Sequence, residues 1–328
     1  MTGTFKQKNS ANTLVLLVYG LILKFSIFLR PQGPLVQPDD DHFLYNWLIG
    51  FLEPLHLWPG VYSLIAFLLL YSQALLLNRV CNAQKMMARP NYLVAMSYML
   101  ITSLFPDWNY FSAPLLINSL LIWLFYRMNT LYNASKPGSV VFNAGLIMGF
   151  ITLLYQPAIV FVFFLMLAVF IVRPFRIKEW LIGLLGVTAP YYFIGLVLYL
   201  TDQWDWKKLQ PDISFSLPPM PDSIFVTISL ALLVLLFIIG GFYVQNNLSK
   251  MFIQVRKSWS LLLVCLVTST LIIVINGGVN YVNWSLCAVP LAVFHGAAYF
   301  YPQGKLFPSI MHWLIFGYAM YLNYWLPA

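Results

Sequence analysis

Charge is what this chain has least of. Asp, Glu, Lys and Arg together make up 9% of its 328 residues, against 61% hydrophobic residues and a mean hydropathy of +0.78. A soluble domain carries roughly a quarter charged residues, so this composition excludes one. Cysteine is also scarce: Cys81, Cys265 and Cys287 lie in or beside apolar runs without metal-ligand spacing, and read as small apolar fillers. The chain has no P-loop, HExxH, GxSxG or nucleotide-binding fingerprint. His56, His295 and His312 stand singly among apolar or aromatic neighbours, so no catalytic role attaches to them. No repeat of fixed period and no low-complexity segment is visible.

What the chain does have is apolar runs of close to the ~20 residues a helix needs to cross ~30 Å of hydrocarbon. The runs are continuous and do not alternate with period two, which excludes a transmembrane barrel. The fold class expected is therefore all-α, a polytopic membrane protein forming one integral membrane domain over 1–328. Eleven spans are expected, at about 12–29, 59–78, 91–106, 111–127, 139–154, 157–172, 179–200, 223–243, 258–276, 283–300 and 307–326. The stretch 139–172 is broken only at Tyr155-Gln156-Pro157. A proline there forces a turn or a kink. A tight outer turn between two short helices is the preferred reading; one kinked helix would reverse the parity of everything after it. The opening MTGTFKQKNSANTLVLLVYGLILKF has a basic lead, a long apolar run and no A-x-A cleavage pattern, so it is expected to stay as a signal anchor.

The net charge of +8 would suggest a nucleic-acid partner in a soluble protein; here Lys and Arg hold loops on the cytoplasmic side and no nucleic acid is expected. With the N-terminus inside, the inner segments carry Lys6, Lys8, Arg79, Lys85, Arg89, Arg127, Lys136, Arg173, Arg176, Lys178, Lys250, Arg256, Lys257 and Lys305, and the outer ones only Arg30, Lys207 and Lys208. That asymmetry supports eleven spans, with the C-terminus outside. Lys24, within the first span, is expected to snorkel outward. The loop RPFRIKEW at 173–180 reads as topogenic or as a lipid head-group contact. The acids fall on the other face. Asp39, Asp40, Asp41, Glu53, Asp107, Asp202, Asp205, Asp212 and Asp222 map outside, and Glu179 alone maps inside. Carboxylates barely influence orientation, so topology does not require this.

Two outer segments are long, 30–58 and the Pro/Trp-rich 201–222. The first contains QPDDDHFLYNWL at 37–48, which holds three of the ten acids side by side. Phe43, Leu44, Trp47, Leu48, Phe51 and Leu52 then recur at helical spacing, predicting a short interfacial helix over 42–53 that Pro54 ends. One aspartate, Asp41 by position, would cap that helix. Three adjacent acids repel one another, which leaves a solvated or capping loop and a functional acid, Asp39 or Asp40, both open. A carboxylate at a membrane surface could take the proton of an acceptor hydroxyl. The outer cations Arg30, Lys207 and Lys208 could hold a phosphate, and Trp204 and Trp206 could stack on sugar or belong to an interfacial aromatic belt. No cofactor is expected; Asp41 with His42 is the one pair that could hold a divalent cation.

A first helix, an outer loop with paired acids and an interfacial helix together resemble the opening of the GT-C glycosyltransferases. FNAGLIMGFITLLYQPAIVFVFFLMLAVFIVRPF, at 142–175, resembles their short-helix, turn, proline, long-helix segment. SLFPDWNYFSAPLLINSLLIWLFYRMNTLYN, at 103–133, resembles their helix pair with an outer loop; where members often carry an acid in the second helix, this chain has Asn118. The phrases RPNYL, TSLFPDW and RPFRIKEWLIGLLGVTAPYYFIG are similar to an uncharacterised family of bacterial polytopic inner-membrane proteins, a likeness that brings no function. The GT-C resemblance covers roughly the first 200 residues. It implies glycosyl transfer from a polyprenyl-phosphate-linked sugar at the outer face of the bacterial inner membrane, with membrane lipids as partners. The alternative is a non-catalytic membrane subunit or scaffold working with other envelope proteins. A transporter ranks last, because the spans are almost free of charge.

Overall fold

The computed structural model of the protein describes residues 2–211, 215, 223–275 and 281–325. Asp212, Asp222 and the proline-rich stretch around them, and the last three residues, lie outside the described residues. Those described form fourteen α-helices joined by turns and short 3-10 segments, with isolated bridges but no strand.

The apolar runs become helices, with 12–29 divided at Phe25, 283–300 α-helical only from Ala288, and an unexpected short helix ahead of them all. They are α1 (Thr2–Phe5), α2 (Ala11–Lys24), α3 (Ser26–Leu29), α4 (Phe43–Leu52), α5 (Pro59–Ala83), α6 (Leu93–Ile101) and α7 (Ala113–Leu131), followed by α8 (Pro137–Leu154), α9 (Phe161–Val172), α10 (Ile177–Leu200), α11 (Ile224–Asn247), α12 (Ile253–Ile272), α13 (Ala288–Phe300) and α14 (Leu306–Tyr324). Local chemistry sets several starts. Pro59 and Pro137 occupy first helical positions, where a missing N–H costs nothing, and the Ser112 hydroxyl accepts from Leu115 N at 3.4 Å to cap α7. Among the described residues, five helices are long and apolar enough to cross a membrane: Pro59–Ala83, Pro137–Leu154, Ile177–Leu200, Ile224–Lys250 and Ile253–Ile272. The other runs form helices that are shorter or more polar. The run at 91–106 is helical only to Ile101, because Thr102 and Ser103 turn their hydroxyls onto the preceding carbonyls and Pro106 opens a 3-10 turn.

Helices α6 and α13 form the centre, with every residue of α6 and nearly all of α13 buried. By contrast α10 and α11 expose Tyr192, Phe193, Leu200, Ile238 and Phe242. Such continuous apolar surface suits hydrocarbon rather than water.

At Tyr155 the backbone is extended, with φ −151° and ψ 119°, before a 3-10 turn over Gln156–Val160 leads into α9. The packing of α8 on α10 shows what this break does. Gly138 lies against Ile182, Gly145 against Gly183 and Gly186, Gly149 against Val187 and Pro190, and Thr152 bonds Tyr191. Both numbers rise together, so α8 and α10 run parallel and the chain has reversed twice between them. A Cβ on Gly145 would run into the Gly183 carbonyl oxygen, so glycine is needed for this close approach.

Candidate functional site

The acidic loop is held by its backbone to the α8–α9 break. Gln156 N donates to Asp40 O at 2.8 Å and His42 N to Leu154 O at 3.1 Å, and Asp41 forms an antiparallel bridge with Tyr155. The pairing turns consecutive side chains in different directions. Asp39 is exposed. Asp40 is 6% exposed, and its Oδ2 accepts from the Tyr155 hydroxyl at 3.0 Å and from Asn283 Nδ2 at 3.0 Å. Two segments far from the loop in sequence thus converge on one carboxylate oxygen.

Asp41 does not cap α4. His42 occupies the N-cap position without a side-chain bond, and Asp41 Oδ2 instead accepts from Gln37 N at 2.6 Å, closing its own turn. The physical reason is the bridge to Tyr155, which directs this side chain back into the loop. Asp41 is 2% exposed and its Oδ1 has no donor; Gln37 Oε1 nearby in the turn also lacks one. Burial pushes the Asp41 carboxyl up to about 7, with Asp40 adding to the rise and the Gln37 N–H opposing it. Burial likewise pushes the His42 imidazole down to about 4, opposed by the Leu153 backbone; neither ring nitrogen makes a well-formed hydrogen bond, and the ring lies 6.5 Å from that of Tyr191. His42 is therefore neutral at ordinary pH. Among the described residues no group of three or more His, Cys, Asp and Glu gathers as a metal site.

The short helix expected over 42–53 forms over Phe43–Leu52. Trp47 and Phe51 are exposed with their rings stacked, while Tyr45 is buried and donates to Leu35 O at 2.9 Å. Phe43 and Leu44 pack against the cluster of Leu153, Leu198 and Leu209, so the segment after α10 folds back beside the acidic loop and its helix.

Arg30 lines a cavity of about 200 Å³ together with Asp107, Tyr110, Ser26, Asn323 and Tyr281. Tyr281 and Asn283 belong to one 3-10 segment, Tyr281–Cys287, so that segment reaches both this cavity and Asp40. Trp204 and Trp206 line a separate apolar groove with Tyr191 and Tyr199, and Tyr191 connects it to His42. Lys207 and Lys208 are exposed in a local turn, bonded to Asp205 and Gln203, and are not brought to the acids. Asn118 is buried and donates to Ser285 O at 3.0 Å, a tie to the segment carrying Asn283.

Lys24 departs most from expectation. It does not snorkel: it is 0% exposed, donates to Thr102 Oγ1 at 2.9 Å and to Asn109 Oδ1, and Asn109 in turn donates to Asn323. The side chain points into the bundle because that polar network is nearer than water. Tyr155, Asn283 and this network were missed by sequence reasoning. A lone lysine inside an apolar run was the available signal, since intramembrane charges face the interior and need partners. Comparison with protein-family models, with curated proteins and with solved structures gives no match.

Proposed function

We propose that the chain is a GT-C-like glycosyltransferase of the bacterial inner membrane, with eleven crossings, N-terminus in the cytoplasm and C-terminus outside. It transfers sugar from a polyprenyl phosphate at the outer face. The observation that carries this reading is the Asp40 carboxylate, oriented by Tyr155 and Asn283 from two other segments beside a second buried acid. A base held in one orientation is what removal of an acceptor proton requires. Arg30, on the wall of the cavity that shares the Asn283 segment, takes the donor phosphate, and the exposed Asp39 next to Asp40 in the chain is the second candidate acid. Trp204 and Trp206, in the groove that Tyr191 connects to His42, offer the sugar a stacking face, and Lys207 and Lys208 follow in an exposed turn.

A second reading, a non-catalytic scaffold for other envelope proteins, draws on the same bonds. A carboxylate with two donors, plus the backbone pairing, is also what stapling a loop to a helix break needs. Asp40→Asn separates the two. Transfer from a polyprenyl-phosphate sugar in proteoliposomes should fall about 10²–10⁴-fold if Asp40 is the base, with the protein still folded. Unchanged transfer, or a loss matched by unfolding, favours the staple.

A further inference from the structure

At the far end of α5 from the acidic loop, two cavities meet at one arginine. A groove of about 310 Å³ between α5 and α7 is lined by Leu76, Ile122, Trp123 and Tyr126, and Arg79 stands in its wall. Arg79 also lines a polar pocket of about 460 Å³, shared with Lys8, Asn78, Asn82 and Tyr92. No acid lines either cavity. Among the described residues, the side chains of Arg79 and Lys8 make no hydrogen bond or ion pair. Asn78 is 4% exposed; its Nδ2 is committed to Asn91 O at 2.9 Å, but its Oδ1 has no donor.

We propose that this pair of cavities binds an anionic glycerophospholipid whose head group carries a hydroxyl. An acyl chain lies along the groove between α5 and α7, the phosphate sits between Arg79 and Lys8, and the head-group hydroxyl donates to Asn78 Oδ1. Each part answers a separate feature. Leu76, Trp123 and Tyr126 are exposed sideways on spanning or adjoining apolar helices, where a hydrocarbon chain is the natural occupant. Two unpaired cations with no acid favour a net-negative head over a zwitterion, and an arginine fork suits phosphate oxygens. A buried acceptor without a donor costs free energy that a ligand hydroxyl would recover. The pocket lined by Lys6, Arg89 and Lys305 is also basic and free of acids, but its lining lacks a comparable groove of aliphatic and aromatic side chains. The lipid site does not depend on glycosyl transfer at the other end.

Native mass spectrometry of the purified full chain, equilibrated with defined lipids in mixed micelles, tests this. Phosphatidylglycerol should be retained about tenfold over phosphatidylcholine, and over phosphatidylmethanol, which is anionic but has no head-group hydroxyl. These comparisons need no variant. Arg79→Gln should lower phosphatidylglycerol retention about tenfold, Arg79→Lys should lower it less, and Arg89→Gln should leave it unchanged. Equal retention of phosphatidylglycerol and phosphatidylcholine, or of phosphatidylglycerol by the wild type and Arg79→Gln, would overturn the site. Phosphatidylmethanol binding as well as phosphatidylglycerol would overturn the role of Asn78. Displacement of the lipid by millimolar glycerol 3-phosphate would place the affinity in the polar pocket alone, for a soluble phosphate, and would overturn the lipid assignment.

Discussion

Replacing Asp41 by asparagine should raise thermal stability at pH 8 and leave it nearly unchanged at pH 4. The carboxyl is buried, with a folded pKa of about 7 against an ordinary 3.8. Between those values the folded protein keeps a proton that the unfolded chain releases. Stability therefore falls as pH rises from about 4 to about 7 and is flat above. Each pH unit across that window costs about 1.36 kcal/mol, so the whole window costs about 4 kcal/mol. Asparagine keeps an oxygen to accept the Gln37 N–H, now at 2.6 Å, and never ionises. At pH 8 it is spared most of that cost, less whatever the amide loses in fit. For a chain of this size, that difference corresponds to a melting shift on the order of 5 °C. Parallel melts of wild type and Asp41→Asn in one detergent, at pH 4, 6 and 8, give the difference directly, and other titrating acids cancel. An asparagine variant less stable than wild type at pH 8, or a difference independent of pH, would show that the folded protein holds Asp41 ionised and welcomes the charge. The burial argument would then be wrong.

Asn109→Leu should destabilise the protein by roughly 1–3 kcal/mol, because it takes away one of the two acceptors that the buried Lys24 amine uses; adding Lys24→Met should recover part of the loss, a coupling that a double-mutant cycle in thermal or denaturant unfolding would measure. Gly145→Leu should break the close approach of α8 to α10, seen as loss of monodisperse protein on size exclusion, whereas Gly241→Leu, where a Cβ meets open space, should behave as wild type. Reporter fusions at Lys136, Gln210 and the C-terminus should read inside, outside and outside. An inside signal at the C-terminus would remove one crossing from the proposed topology.

The fold class was legible because hydrocarbon is a demanding solvent: a run of ~20 apolar residues has few alternatives to a helix. The break at Tyr155-Gln156-Pro157 was legible too, since proline removes a helix N–H and clashes with the preceding turn, although α10 carries Pro190 in its interior without ending there; so was the short helix over Phe43–Leu52, from the spacing of Phe43, Trp47 and Phe51. The fate of single polar side chains was not. Lys24 and Asp41 were given their local options, snorkelling and capping, and each took a tertiary one. Lys24 found Thr102 and Asn109, about eighty residues away, and Asp41 was turned into its loop by pairing with Tyr155.

Local rules rest on interactions within a few residues, so composition and spacing alone determined the all-helical character, most of the helices and their approximate ends. Which acid is buried, which is exposed and which meets Tyr155 and Asn283 depends on contacts across more than a hundred residues of chain. Adjacent aspartates look alike in sequence, and only the packing of the loop on the α8–α9 break made Asp39, Asp40 and Asp41 three chemically different groups.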